Sequence, residues 1–298
     1  MKPFLLQHLQ CIECGHELAY DEPAGRLICE SCGHTYPTQD GIPIFTPPPD
    51  GLVPSQKLER GPEMGTPWRK ANWWFIEKQI NRLEAEAAIL DVGAGRGDFA
   101  AALKGHKSLA VDIYPYPEVD IACDLTQVNP FRLESFDAIL LLNVMEHVYD
   151  THTLLAMLSS LLKPGGVLLV AIPFMVKMHQ VPVDFVRYTH YALERLGRDH
   201  GLEIEEIEGF YDPVFFLGEG IGNLRNAILP TLQGSRRYLG RVLITSIQAF
   251  ASLLGRVTGP GKAQPPAGVR SLAPTGYQIV YRKQRSTDSN QLLDQPAG

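Results

Sequence analysis

From residue 68 onward the apolar positions fall into short blocks that alternate between two spacings. Trp73, Ile76, Ile80 and Leu83 recur every three or four residues, which predicts a helix with one buried stripe. Ile89 to Val92 reads as a strand, Asp98 to Lys104 as a helix, Ser108 to Asp112 as a strand, and Phe136 to Leu142 as a strand that is apolar almost throughout. Thr151 to Leu162 predicts a helix stopped by Lys163-Pro164-Gly165-Gly166, with a further strand over Val167 to Ile172. Strands without a polar face, separated by helices, imply an α/β domain: a parallel sheet covered on both sides, with its ligand at the carboxyl ends of the strands. Gly201 to Phe210 and Thr275 to Gln284 supply a sixth and a seventh strand, which are expected to pair.

Ahead of this pattern the chain is different. Residues 1–46 hold four of the five cysteines, residues 47–67 are rich in Pro and Gly, and residues 286–298 read as a disordered tail. The expected organisation is a small N-terminal unit (1–46), a linker (47–67) and a large domain (68–285) with an insertion at 213–270. Such a linker predicts that the first unit could unfold without disturbing the large domain's ligand site.

The cysteines come as two matched Cys-x-x-Cys-Gly-His units, "CIECGH" and "CESCGH", with 14 residues between Cys14 and Cys29. Each short loop can bring two thiolates to one ion while its glycine frees the backbone, so Cys11, Cys14, Cys29 and Cys32 are expected to hold a structural zinc. Four thiolates complete a tetrahedral site, which leaves His16 and His34 as solvated bystanders. A redox role for one Cys-x-x-Cys fits two matched copies less well. With Tyr36-Pro37 and Asp40-Gly41-Ile42-Pro43 behind them, the knuckles resemble the small zinc-ribbon family of tRNA-methyltransferase activator subunits over roughly the first 46 residues.

Charge limits what this ribbon can bind. Residues 1–50 carry Lys2 and Arg26 against seven carboxylates, within a chain of 298 residues and net charge −6. Such a face repels phosphates, so a nucleic-acid partner is not favoured. Met1 to Gln10 contains one lysine and no run long enough for a signal sequence, and no later stretch reaches the roughly 18 apolar residues of a membrane span. A cytoplasmic location follows as the expectation.

The turn after the first strand, "LDVGAGRGDF", carries the candidate binding chemistry. A dinucleotide fingerprint needs a small residue three places after its second glycine, and here that place is Asp98, whose carboxylate would repel a pyrophosphate. Gly93, Gly95 and Gly97, with Asp91 on the strand end, instead suit a ligand that brings its own cation. Asp112, 21 residues after Asp91, is placed to accept ribose hydroxyls, and Asp124 and Leu125 offer an edge and a face for adenine.

These segments, followed by "FDAILLLNVMEHV" and "LKPGGVLLVAIP", resemble the class I S-adenosylmethionine-dependent methyltransferases over roughly Ala71 to Phe210. The resemblance implies a Rossmann-like seven-stranded sheet. Gly93, Ala94, Gly95 and Gly97 would border the methionyl part of S-adenosylmethionine, Asp112 its ribose, and Asp124 and Leu125 its adenine, with Asn143 beside the ligand. Methyl transfer asks mainly for alignment and exclusion of water, since a sulfonium is already a good leaving group. Candidate bases are Glu146, His147, His179 and Asp184. The last two lie in "HQVPVDFVRYT", a pattern found in a bacterial subgroup of these enzymes, where Asp184 and Arg187 could equally form an ion pair and Thr189 a helix cap.

Pro213 to Arg270 departs from the family plan, with seven basic residues against Glu219 alone and an apolar helix candidate from Val242 to Gly255. Three readings stand: a helix on the anionic inner face of a membrane, a surface packed on protein or in an oligomer, and an RNA-binding arm, the last short of aromatics. The expected activity is methylation of a small-molecule acceptor or one linked to lipid or glycan. A tRNA or rRNA methyltransferase and a non-catalytic protein that binds S-adenosylmethionine are the alternatives.

Overall fold

The computed structural model describes residues 1–49, 64–210, 213–258 and 274–285. Helix α1 (Pro3–His8) leads into four short antiparallel strands, β1 (Ala19–Asp21), β2 (Arg26–Ile28), β3 (Thr35–Gln39) and β4 (Ile42–Pro43). Helix α2 (Pro67–Ile80) follows, its N-terminus capped by the Thr66 hydroxyl, which accepts from the Arg69 N–H. The main sheet is built from β5 (Ala88–Val92), β6 (Lys107–Asp112), β7 (Ile121–Ala122), β8 (Phe136–Leu142), β9 (Leu162–Pro173), β10 (Leu202–Phe210) and β11 (Gly276–Lys283). Helices α3 (Thr151–Leu161) and α4 (His190–Asp199) lie within this run, and α5 (Pro213–Ile228) and α6 (Gly234–Thr258) stand between β10 and β11.

The sheet order is β10-β11-β9-β8-β5-β6-β7, parallel from β9 to β7. β11 runs antiparallel between β9 and β10. This is the seven-stranded class I methyltransferase sheet. Its inner strands are buried end to end, as at Ile139, Leu140 and Leu141, all with no exposure, because helices cover both faces.

Two elements differ from expectation. The helix over Asp98 to Lys104 shrinks to a single 3-10 turn, Ala100–Leu103. Gly93, Gly95 and Gly97 hold left-handed φ values of 69°, 53° and 70°, and Gly105 closes the segment at 93°, so little chain remains for helical hydrogen bonds. Strand β9 starts at Leu162, paired with Phe136, rather than at Val167, and the Pro-Gly-Gly stretch forms an irregularity within it.

The first unit packs directly on the large domain. Leu9 bridges Phe131, the Gln10 N–H donates to the Pro130 carbonyl at 2.8 Å, and the Arg132 N–H donates to the His8 carbonyl at 2.8 Å. Ile44 bridges Ala122 in parallel, so β4 approaches the free edge of β7, and the Phe45 N–H donates to the Ala122 carbonyl at 2.9 Å. Leu5, Leu9, Leu27, Tyr36 and Phe45 belong to the same continuous core as Leu90, Leu109 and Leu141. The ribbon covers a sheet edge that would otherwise present unpaired backbone groups. Residues 50–63, most of the expected linker, lie outside the described residues, as do 259–270 of the insertion and the tail 286–298.

Candidate active site

At the ribbon, each knuckle repeats one hydrogen-bond pattern. The Cys11 N–H donates to the His16 carbonyl and the Gly15 N–H to the Cys11 carbonyl; Cys29, His34 and Gly33 do the same. Cys14 and Cys29 Sγ lie 3.5 Å apart and Cys11 and Cys32 Sγ 3.6 Å apart. All four sulfurs fall within 4.8 Å of one another. Ligands about 2.3 Å from a tetrahedral zinc are roughly 3.8 Å apart, so the four thiols fit that ion. The Tyr36 hydroxyl accepts from the Ile12 N–H at 3.0 Å and lies 3.2 Å from Cys11 Sγ, orienting it. His16 is exposed, with Nδ1 turned to the Cys14 carbonyl 3.0 Å away.

In the main sheet the glycine loop leaves the carboxyl end of β5, where a ligand is expected. A Cβ on Gly93 would stand 2.4 Å from Val144, so the loop lies directly against the turn that follows β8. Asp112 ends β6 and ties the loop down: Oδ2 accepts the Gly95 N–H at 2.9 Å and Oδ1 accepts the Tyr114 N–H at 3.0 Å. Asp91 is buried beside it. Burial, and then the neighbouring Asp112, push the Asp91 carboxyl up to about 7. Burial raises Asp112 as well, against the backbone donors that lower it. Two buried acids held this way are stabilised in their ionised form by a ligand that carries positive charge, as the sulfonium and ammonium of S-adenosylmethionine do.

Asp124 and Leu125 are less open than the sequence suggests. Thr126 and Gln127 donate to the Asp124 carboxylate, and Leu125 is buried in the main core. The Asp124 N–H donates to the Thr46 hydroxyl at 2.7 Å, so the end of the ribbon segment touches the wall of this pocket. Asn143, at φ 54°, receives the Trp68 indole N–H on its side-chain oxygen at 2.8 Å. Trp68 and Arg69 are the residues that sequence reasoning passed over. Arg69 is buried and donates to the Asp98 carbonyl at 2.6 Å, clamping α2 to the glycine loop. Only the crowding of aromatics at the start of α2 hinted at them.

Three further side chains converge after β8. Glu146 is fully buried, and neither of its carboxylate oxygens receives a hydrogen bond. His147 Nε2 and His179 Nε2 each lie 3.7 Å from Glu146 Oε1. His147 turns Nδ1 to the Val183 carbonyl at 2.7 Å. The neighbouring Glu146 carboxylate raises the pKa of His179, and burial opposes it. Asp184, expected either as a base or in an ion pair, takes the second role: it pairs with Arg187 and accepts the His179 backbone N–H at 2.7 Å. Arg187 holds its carboxyl well below the usual range, so it orients its neighbours and takes up no proton near neutral pH. Thr189 caps α4 by accepting from the Ala192 N–H.

Residues 71–207 match the family model of a methyltransferase domain, and residues 2–41 that of a Trm112p-like protein. The chain carries a methyltransferase domain with the class I fold over residues 71–207. Its cofactor is S-adenosylmethionine, and its four clustered cysteines can hold zinc. A UPF0434 protein of Maricaulis maris is 47% identical over 45 residues, 15% of this chain and 71% of that protein. An S-adenosylmethionine-dependent methyltransferase from Archaeoglobus fulgidus is similar at 17% identity and TM-score 0.46, covering 72% of this chain and 94% of that one. The Burkholderia thailandensis 1,6-didemethyltoxoflavin-N1-methyltransferase, solved with S-adenosylhomocysteine, is similar at 18% identity and TM-score 0.44, covering 73% and 78%.

Proposed function

We propose that this methyltransferase acts on a small-molecule acceptor or one linked to lipid or glycan, with Asp91, Gly93, Ala94, Gly95, Gly97, Asp112, Asp124, Leu125 and Asn143 around the cofactor. The observation that carries the cofactor part is the buried pair Asp91 and Asp112 beside a loop of left-handed glycines. Bound S-adenosylmethionine supplies a methyl group activated on a sulfonium. The chain supplies position: Asp112 keeps lone pairs for ribose hydroxyls, and the loop backbone lies bare against the ligand. Asp124 keeps acceptor capacity for an adenine amine, while Leu125 shapes the pocket from behind.

The acceptor reading is supported by charge. The acidic ribbon is spent on the sheet edge, and the exposed Arg236, Arg237 and Arg241 sit on α6 beside exposed Leu239, Val242 and Leu243. That mixture of apolar and cationic groups suits an anionic lipid surface. No helix among the described residues is long and apolar enough to cross a membrane.

The test is the pH dependence of cofactor affinity. With Asp91 titrating at about 7 in the free protein and favoured in its ionised form by a cationic ligand, the complex holds fewer protons than the free protein. Affinity should therefore rise from about pH 5 to about pH 8, and Asp91→Asn should flatten the profile. Calorimetry showing a flat wild-type profile would sink this placement. Asp112→Ala should weaken binding by about 2 kcal/mol, the scale of a lost hydrogen bond to a charged group.

A further inference from the structure

We propose that Glu146, His147 and His179 form a second metal site, distinct from the cysteine cluster, which holds a divalent transition ion and presents it to an oxygen of the methyl acceptor. The proposal rests on the methyl-transfer reading above and narrows its acceptor to a hydroxyl-bearing molecule.

Three features of the cluster point to an ion. Glu146 is buried with both carboxylate oxygens unpartnered, and a charge in that position is costly unless something positive sits against it. The imidazole nitrogens that face it do not hydrogen-bond it, at 3.7 Å each. That spacing is too long for a hydrogen bond, yet inside the roughly 4.2 Å that two ligands about 2.1 Å from one ion can span. The three donor atoms lie within 4.8 Å of one another.

Both histidines are also oriented from behind. His147 Nδ1 donates to the Val183 carbonyl at 2.7 Å, which fixes Nε2 as the nitrogen with the free lone pair, and that Nε2 is buried without a partner. His179 Nδ1 lies 3.3 Å from Asp184 Oδ2, and Asp184 is in turn held by Arg187. A carboxylate or carbonyl behind each imidazole is the usual support of metal-binding histidines. It also gives Asp184 and Arg187 work as positioning residues.

The donor set selects the ion and its work. Two imidazoles and one carboxylate suit zinc, manganese or iron(II) over magnesium or calcium. Three protein ligands leave coordination positions open, as at catalytic rather than structural centres. One carboxylate against a dication leaves net positive charge, which favours an ionised oxygen in an open position. The site begins two residues after Val144, which packs on the cofactor loop at Gly93, so the bound oxygen is near the methyl donor. In the reaction the acceptor O–H loses its proton to solvent, the oxygen lone pair forms the O–CH3 bond, and the C–S bond breaks with its electron pair passing to sulfur. S-adenosylhomocysteine leaves.

Manganese distinguishes the two metal sites, because it is the weakest binder in the divalent series and does not displace zinc from thiolates. Full-length protein with its cysteines zinc-loaded should bind one further Mn2+ per chain, read by loss of the free-ion paramagnetic resonance signal. Glu146→Gln and His179→Ala should each lower that affinity about tenfold or more, and Asp184→Asn by less. Zinc content and S-adenosylmethionine affinity should stay within about twofold in the Glu146→Gln protein, which separates loss of the site from misfolding. Acetohydroxamate, a bidentate oxygen donor, should bind only when Mn2+ is present. Wild-type protein that takes up no more Mn2+ than the Glu146→Gln variant overturns the site, and acetohydroxamate binding that ignores Mn2+ overturns the oxygen acceptor. Mn2+ binding without any S-adenosylmethionine binding would keep the metal site and discard the methyl-transfer reading.

Discussion

The ribbon and the α5–α6 hairpin are both additions to the same sheet, yet the chain treats them in opposite ways. The ribbon has a short apolar sequence and little secondary structure, and it is absorbed: Leu9, Leu27 and Cys29 have no exposure, and its backbone continues the sheet edge at Ala122. The hairpin, Pro213–Thr258, is as long and as apolar as the ribbon, and it stays outside. Among the described residues, α5 and α6 pack chiefly on each other and on the turn at Leu229–Thr231. Val242, Leu243, Ile247, Phe250, Leu253 and Val257 remain exposed. Amount of apolar surface therefore does not decide what joins the core. Backbone complementarity does: the β7 edge needs a strand, and the ribbon brings one.

The sharpest way to break this contrast is to remove each addition. Cys29→Ser should cost the ribbon its zinc, whose binding to structural sites is worth on the order of 10 kcal/mol. Because the ribbon shares the main core, the loss should lower the melting temperature of the whole chain and weaken S-adenosylmethionine binding. A variant that keeps cofactor affinity while its ribbon unfolds would restore the picture of two independent units. Replacing residues 211–273 by a short Gly-containing turn should do far less. The Thr275 N–H already donates to the Phe210 carbonyl at 2.8 Å, and Phe210 and Gly276 are register partners, so the strand ends stand ready to be joined.

The centre of the sheet was legible in the sequence because β5, β8 and most of β9 are buried on both faces and therefore read as continuous apolar runs. The glycine loop was legible because three left-handed positions demand three bare residues. Docking of the ribbon was not, since it depends on main-chain pairing at Ile44 and Ala122, which leaves no mark in side-chain pattern. Glu146 and His147 were visible as polar residues after an apolar strand. Their meeting with His179 was not, because a loop more than thirty residues downstream brings that histidine back over them. For Asp184 the motif left two roles open, base or partner of Arg187, and the structure shows the ion pair.

A smaller effect separates the two faces of α6. Ile244 is 5% exposed and Leu253 59% exposed. Ile244→Asp buries an unpaired charge inside the hairpin and should destabilise it by about 3 kcal/mol, visible as early loss of helical signal on heating. Leu253→Asp should leave the melt within about 0.5 kcal/mol of wild type. Equal destabilisation by both would mean that the stripe is covered in solution, by a second copy of the chain or by another part of it.

Smaller again is the contact between ribbon and cofactor wall. Thr46→Val removes the acceptor of the Asp124 N–H and leaves that donor unsatisfied at a half-buried position, at a cost of about 1–2 kcal/mol. The change should appear in S-adenosylmethionine affinity as well as in stability. Unaltered affinity would confine the ribbon to scaffolding.

The smallest effect on folding, and the most specific for function, belongs to the arginines of the hairpin. Arg236, Arg237 and Arg241 are exposed, so their replacement by glutamate should leave the melting temperature nearly unchanged. If the stripe from Leu239 to Val257 lies on an anionic lipid surface, each lost arginine removes on the order of 1 kcal/mol of attraction, and glutamate adds repulsion. The triple variant should then fail to co-sediment with phosphatidylserine vesicles that retain the wild type, and high salt should release the wild type in the same way. Wild-type protein that stays in the supernatant at low salt would discard the lipid surface. An apolar face covered by protein would then be the remaining account of why this insertion, unlike the ribbon, keeps its hydrophobic residues outside.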